Sequence, residues 1–75
     1  MWIRSQDRLR LQYVNRFEIE HFENKEIATI TWHGWFLGEY STEEKALLVL
    51  DMIEKVAMYP GNTLFQMSQD DEVKV

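Results

Sequence analysis

Apolar and polar residues alternate in several short stretches of the chain, which is the pattern of half-buried β-strands. Three of these stretches follow one another closely enough to form an antiparallel meander. His33 and Gly34 lie between two tryptophans and predict a tight hairpin turn, because glycine adopts positive φ angles without strain. The predicted strands cover residues 1–5, 11–14, 17–22, 27–32, 35–40 and 64–67.

The second half of the chain contains the pattern of one amphipathic helix over residues 41–58. Ser41 and Glu44 have the spacing of a capping box, so Ser41 is expected to be the N-cap. Pro60 and Gly61 are expected to end the helix. The apolar positions that share one helical face are Ala46, Val49, Leu50, Ile53, Val56 and Ala57.

These elements predict an α+β fold, in which a small, curled antiparallel β-sheet of about five strands carries the helix on one face and ends with a short C-terminal strand. Residues 1–67 are expected to form a single domain and residues 68–75 an acidic, flexible tail. One helix covers only one face of a sheet, whereas aromatic residues occur at both parities of the meander. We therefore expect a homo-oligomer or a protein partner. The candidate interface residues are Trp32, Trp35, Phe36, Tyr40, Leu47, Leu48 and Phe65.

Composition excludes several functional classes. The 75 residues are enough for one domain, and the absence of cysteine excludes disulfides, thiolate nucleophiles and cysteine metal sites. The two histidines, His21 and His33, are far apart in sequence, and no nucleophile motif is present, so no enzyme activity, metal site or cofactor is predicted. The chain lacks an apolar run of membrane-spanning length and a signal-peptide pattern at its start, so a cytoplasmic location without membrane contact is expected.

Charge is distributed unevenly. Residues 1–16 contain four arginines and one acid, whereas residues 17–75 contain four lysines and twelve acids and would repel nucleic acid. The N-terminal tryptophan and arginines have the chemistry to hold a small planar anion such as a nucleotide, by stacking and by bidentate hydrogen bonds. The sequence leaves open the alternative that these arginines pair with the domain's own acids. The candidate ligand-binding residues are Trp2, Arg4, Gln6, Arg8, Arg10 and Gln66.

Three stretches of the chain are distinctive: MWIRSQD at residues 1–7, GEYSTEEKAL followed by VLDMI within residues 38–53, and FQM followed by QDDEV within residues 65–73. Together they resemble a group of small, uncharacterised proteins encoded by phages, prophages and mobile elements of Gram-positive bacteria. The resemblance covers both ends of the chain and the strand–helix junction. It implies a location in the host cytoplasm and assigns no function to individual residues.

Three non-enzymatic functions are compatible with this setting. The first is a homo-oligomeric counter-defence protein that sequesters a nucleotide signal at the candidate ligand-binding residues. The second is an acidic, anti-CRISPR-like inhibitor of a host defence nuclease, in which the acidic surface imitates nucleic acid. The third is a structural or regulatory phage protein.

Overall fold

The computed structural model describes residues 1–23, 26–59 and 64–75. In these ranges the chain forms strands, one α-helix and one short 3₁₀ helix, which confirms the predicted α+β class. The predicted helix stop at Pro60 and Gly61 lies outside the described residues. The elements are β1 (Trp2–Arg4), β2 (Leu11–Tyr13), β3 (Glu18–Glu20), β4 (Ala28–Trp32), β5 (Trp35–Tyr40), α1 (Glu43–Ala57), β6 (Leu64–Gln66) and the 3₁₀ helix (Asp70–Glu72).

The strands are divided between two small sheets, whereas the sequence pattern predicts one curled antiparallel sheet. The first sheet has the order β2-β1-β6, with β1 antiparallel to β2 and parallel to β6. The second sheet is the predicted meander, with the order β3-β4-β5 and antiparallel pairs throughout. Alternation along a strand determines which residues share a face, but it does not determine which strands pair. The pairing of β1 with β6 is therefore visible only in the structure.

One hydrophobic core contains side chains from both sheets, the helix and the C-terminal segment. Helix α1 contacts β4 and β5 of the second sheet. Its predicted apolar face is buried at Ala46, Val49 and Ile53 and becomes exposed at Ala57, in the last turn. The helix therefore covers the second sheet, as its amphipathic pattern predicts.

The N-terminus of α1 differs by one residue from the predicted capping box. Thr42 is the N-cap, and its hydroxyl accepts a hydrogen bond from the Lys45 N–H at 3.2 Å. Ser41 instead donates its backbone N–H to the Asp70 carboxylate at 2.8 Å and its hydroxyl to the same oxygen at 3.2 Å. The prediction of Ser41 as N-cap is wrong. Ser41 and Thr42 both have a hydroxyl that can cap a helix, and Ser41 is engaged by the Asp70 carboxylate, so Thr42 takes the role.

Residues 68–75, predicted as an acidic, flexible tail, contain a short 3₁₀ helix and one buried side chain. Val73 is buried, and the 3₁₀ helix is closed by a hydrogen bond from the Gln69 N–H to the Glu72 carboxylate at 2.7 Å. Lys45 donates from its ammonium group to the Asp70 carbonyl at 3.2 Å. The segment is polar in composition, so its sequence does not indicate that Val73 joins the core. It also does not indicate that Asp70 accepts hydrogen bonds from Ser41 at the start of α1.

Candidate functional site

The outward face of the first sheet gathers exposed side chains from all three of its strands. The register places Trp2 of β1 between Tyr13 of β2 and Leu64 of β6. Residues directly opposite each other point to the same side of a sheet, so these three side chains form one row. A second row, formed by Arg4, Leu11 and Gln66, lies beside the first on the same side of the sheet. We call the two rows together the outward face.

The outward face is apolar at most of its positions. The intervening residues of the same strands point inward, where Ile3 is fully buried and Phe65 is partly buried against the core. Contiguous exposed apolar residues of this kind mark interaction sites, whereas isolated ones do not. The four large apolar residues of the face are 43–58% exposed, namely Trp2, Leu11, Tyr13 and Leu64.

Trp2 and Tyr13 form an aromatic pair at the centre of the outward face. Their ring centroids are 5.5 Å apart and their planes meet at 80°, an edge-to-face contact. Antiparallel residues that do not exchange backbone hydrogen bonds have the closest side chains, and this pair occupies such a position. In this geometry the two rings do not cover each other completely, so ring surface stays available to a planar ligand.

Arg4 places a positive charge beside the aromatic pair. It is two residues from Trp2 on β1 and therefore on the same face. Its Nε donates to the Arg8 carbonyl at 3.1 Å, which orients the guanidinium and leaves its charge unchanged. Among the described residues Arg4 forms no salt bridge with an acid, and neither row of the outward face contains one.

Gln6, a predicted ligand residue, instead joins the two sheets. Its amide nitrogen donates to the carbonyls of Glu39 and Ser68, both at 3.0 Å, and its amide oxygen accepts the Glu39 N–H at 2.9 Å. Its backbone N–H donates to the Leu37 carbonyl at 2.7 Å. The residue thus pairs with the edge of β5 as a neighbouring strand would, and its side chain is not available to a ligand.

The other predicted ligand residues are divided between the outward face and its surroundings. Arg8 lies in the turn between β1 and β2 with a φ of 68°. Arg10 lies over the Trp35 ring, 5.0 Å from its centroid, in a cation–π contact with the second sheet. Gln66 is on the outward face, where its amide nitrogen donates to two backbone carbonyls at 3.1 and 3.0 Å. The predicted residues that share this face are Trp2, Arg4 and Gln66.

Sequence reasoning missed three residues of the outward face: Leu11, Tyr13 and Leu64. The alternation of residues 11–13 places the first two on one side of a strand. That this is the side of Trp2 follows only from the register with β1. Leu64 is more than sixty residues from Trp2 in sequence, and no local signal connects them.

Tyr40 was predicted as an interface residue, and this prediction is wrong. Its side chain is fully buried, and its hydroxyl donates to the Ser68 carbonyl at 2.7 Å. Burial, with a smaller contribution from nearby Asp70, raises the pKa of Tyr40 far above the usual range for tyrosine. The physical reason is an irregularity in the β4–β5 register at Leu37, which reverses the alternation between the two halves of β5.

The remaining candidate interface residues differ in exposure. Trp35 and Leu47 are about half exposed, at 52% and 49%. Both lie outside the first sheet, so neither belongs to the outward face. The partly buried residues are Trp32, Phe36, Leu48 and Phe65.

No protein-family model, curated protein or solved structure matches the chain. Within the part of the chain that the structure describes, no group of three or more histidine or acidic residues is arranged to hold a metal ion. No described helix has the length and apolar character needed to cross a membrane. The outward face is the candidate site, because it combines exposed ring surface, apolar side chains and a guanidinium group that can hydrogen-bond to an anion.

Proposed function

We propose that this protein binds a nucleotide, or another planar anion, on the outward face and sequesters it without chemical change. The observation that supports the proposal is the exposed Trp2–Tyr13 pair with Arg4 in the next row. Stacking of a base on an aromatic side chain contributes about 1–3 kcal/mol per base. A guanidinium group binds phosphate through two parallel hydrogen bonds.

The spacing of these groups suits a nucleotide. Trp2 and Arg4 are two residues apart on one strand, which corresponds to about 7 Å along the strand axis. That separation is comparable with the distance from a nucleobase to the phosphate on its own ribose. A base stacked on Trp2 therefore leaves its phosphate within reach of Arg4.

The charge of the outward face favours an anionic ligand over direct burial of this face against a second copy. The face contains an arginine and no acid, although the whole chain has a formal net charge of −5. Two copies meeting through this face would bury arginines without a carboxylate partner, which is costly. A phosphate supplies the missing charge. The resemblance to small phage proteins supports a role in which the protein sequesters a nucleotide signal of host defence.

Equilibrium dialysis against a panel of linear and cyclic nucleotides tests this proposal, together with mass spectrometry of ligand released from denatured protein. Trp2→Ala and Arg4→Ala are each expected to weaken binding about tenfold, as expected for the loss of one stacking or phosphate contact. Trp35→Ala is the matched control, because it removes an exposed tryptophan of the second sheet. Absence of binding across the panel, or equal losses in all three variants, would contradict the proposal.

A second candidate function, inhibition of a basic host protein such as a nuclease, is favoured by a shallow groove. The groove is lined by Phe22, Glu23, Ile27, Thr29 and Glu39, and Phe22 is 64% exposed. An acidic groove with an exposed aromatic ring complements a positively charged nucleic-acid channel. Salt-sensitive inhibition of a purified defence nuclease that Glu39→Lys abolishes, and that Arg4→Ala leaves intact, would favour this function over nucleotide capture.

A further inference from the structure

β2 forms an unprotected edge of the first sheet. The sheet order is β2-β1-β6, and within the described residues no strand lies on the other side of β2. Exposed edges of this kind pair readily with a strand of another chain unless charge, proline or a covering segment blocks them. Gln6 covers β5, and Glu18 and Glu20 place charges on β3. The sequence Leu-Gln-Tyr of β2 contains neither charge nor proline.

The free side of β2 can be identified from its hydrogen bonds to β1. Val14 donates to the Met1 carbonyl at 2.8 Å, and Ser5 donates to the Arg10 carbonyl at 3.0 Å. Alternate residues of an antiparallel strand point to the same neighbour, so Gln12 also faces β1 through its backbone. The N–H and C=O groups that point to the free side of β2 are those of Leu11 and Tyr13.

Gln12 provides an independent observation at the same place. It lies opposite Ile3 at the middle of β2, on the strand's inward-pointing side. Its side-chain oxygen is buried and has no hydrogen-bond partner among the described residues. An unsatisfied buried polar group is destabilising, and such groups are uncommon in native proteins. Gln12 is the middle residue of β2, so a two-fold axis that relates two antiparallel β2 strands passes beside it.

We propose that two copies of this chain associate through β2, antiparallel, about a two-fold axis at Gln12. In this register Leu11 of each copy opposes Tyr13 of the other, and both pairs exchange their backbone hydrogen bonds. The two Gln12 residues become direct neighbours in a non-hydrogen-bonded pair, with Cα atoms about 4.5 Å apart. Rotation of each Gln12 side chain, which frees its buried oxygen, lets each amide nitrogen donate to the amide oxygen of the other copy.

The arrangement is compatible with the charges next to the strand. Arg10 opposes Val14 of the second copy, so no like charges face each other there. The two first sheets become one six-stranded sheet, and its outward face contains Trp2 and Arg4 twice. If the proposed function is correct, the dimer presents a site with two stacking platforms and two guanidinium groups. The strand pairing itself does not depend on that ligand.

Cysteine cross-linking tests the register, because the natural chain contains no cysteine. Gln12→Cys is expected to form a disulfide-linked dimer on air oxidation of the folded protein, since the two Cα atoms lie within disulfide range. Tyr13→Cys is the matched control. In this register the two substituted residues are offset by about 8 Å between Cα atoms, beyond that range. Equal cross-linking of the two variants would contradict the proposal.

Light scattering coupled to size exclusion tests the association itself. The natural chain is expected to be a dimer and the Leu11→Pro variant a monomer. Proline at this position removes the N–H that would bond to the second copy, and β1 makes no hydrogen bond to that N–H. Leu11→Ala keeps that N–H and is expected to remain a dimer. A natural chain that stays monomeric at millimolar concentration overturns the proposal. If Leu11→Pro does not fold, the cross-linking comparison decides.

Discussion

The side-chain amide of Gln6 forms two hydrogen bonds with the backbone of Glu39, one to its carbonyl at 3.0 Å and one from its N–H at 2.9 Å. These bonds connect the loop after β1 to the edge of β5 and thereby join the two sheets. One polar side chain thus performs the role of a short strand, and it protects the edge of the second sheet.

Gln6→Ala is expected to reduce the free energy of unfolding by about 1–3 kcal/mol, since several hydrogen bonds to partly buried groups are lost together. Urea denaturation monitored by circular dichroism measures this change. Gln6→Glu keeps an acceptor for the Glu39 N–H but places carboxylate oxygens against two carbonyls, so it is expected to be no more stable than Gln6→Ala. Unchanged stability in both variants would show that the amide does not hold the sheets together.

Tyr40→Phe is expected to cost about 1 kcal/mol, because the Ser68 carbonyl loses one of its two donors and keeps the Gln6 amide. The raised pKa of Tyr40 adds a pH dependence. A neutral phenol favoured by folding contributes stability below pH 10, the usual tyrosine value, and this stability decreases as the pH rises above it. Ultraviolet titration checks the assignment. Tyr40 should contribute no tyrosinate absorbance near pH 10 while the chain is folded, so Tyr40→Phe should leave the absorbance of the folded chain there unchanged.

Asp70 is expected to contribute to acid unfolding. Hydrogen bonds from Ser41, followed by the charge of Lys45, lower the pKa of this carboxyl from its usual 3.8. A lowered folded-state pKa gives stability that is complete above pH 3.8 and is lost as the pH falls through the folded value. Asp70→Asn should therefore show a weaker loss of thermal midpoint on acidification than the natural chain.

The neighbouring exposed acid provides the control for that experiment. Asp71 lies in the same 3₁₀ helix and forms no hydrogen bond with Ser41 or Lys45. Asp71→Asn is expected to follow the natural chain on acidification more closely than Asp70→Asn does. Identical acid curves for the two variants would contradict a specific role for Asp70.

The Arg10–Trp35 contact is expected to contribute about 0.5–1 kcal/mol, the range for an exposed cation–π pair. A double-mutant cycle with Arg10→Ala and Trp35→Ala isolates this coupling from the separate effects of each truncation. Arg10→Lys retains the charge with a different shape and is expected to recover part of it. Additive single effects would indicate that the two side chains are adjacent without being coupled.

Much of the local structure could be predicted from the sequence because it depends on neighbouring residues. Alternation along residues 27–32 and 35–40 predicts β4 and β5, and the helical spacing of Val49 and Ile53 predicts the buried side of α1. The same reasoning fails at Tyr40. An irregularity in strand pairing changes the parity of β5. Gly38 lies beside it and is a sequence signal of such a bulge, but the alternation alone does not show where the parity changes.

The candidate site was predicted only in part for a similar reason. Trp2 and Arg4 are unusual by type and position, so the sequence alone indicates them as ligand residues. Gln6 belongs to the same polar segment, yet its partners at Glu39 and Ser68 make it a structural residue. Whether a polar side chain is free or engaged depends on groups that are distant in sequence.

By itself, the sequence determined the α+β class, the helix, the meander and the concentration of arginine at the N-terminus, because short-range periodicity and composition carry that information. Only the tertiary structure decided that β1 pairs with both β2 and β6, which creates the outward face from residues at opposite ends of the chain. Strand register results from long-range backbone hydrogen bonds and from burial of one face, and local alternation does not specify the partner strand.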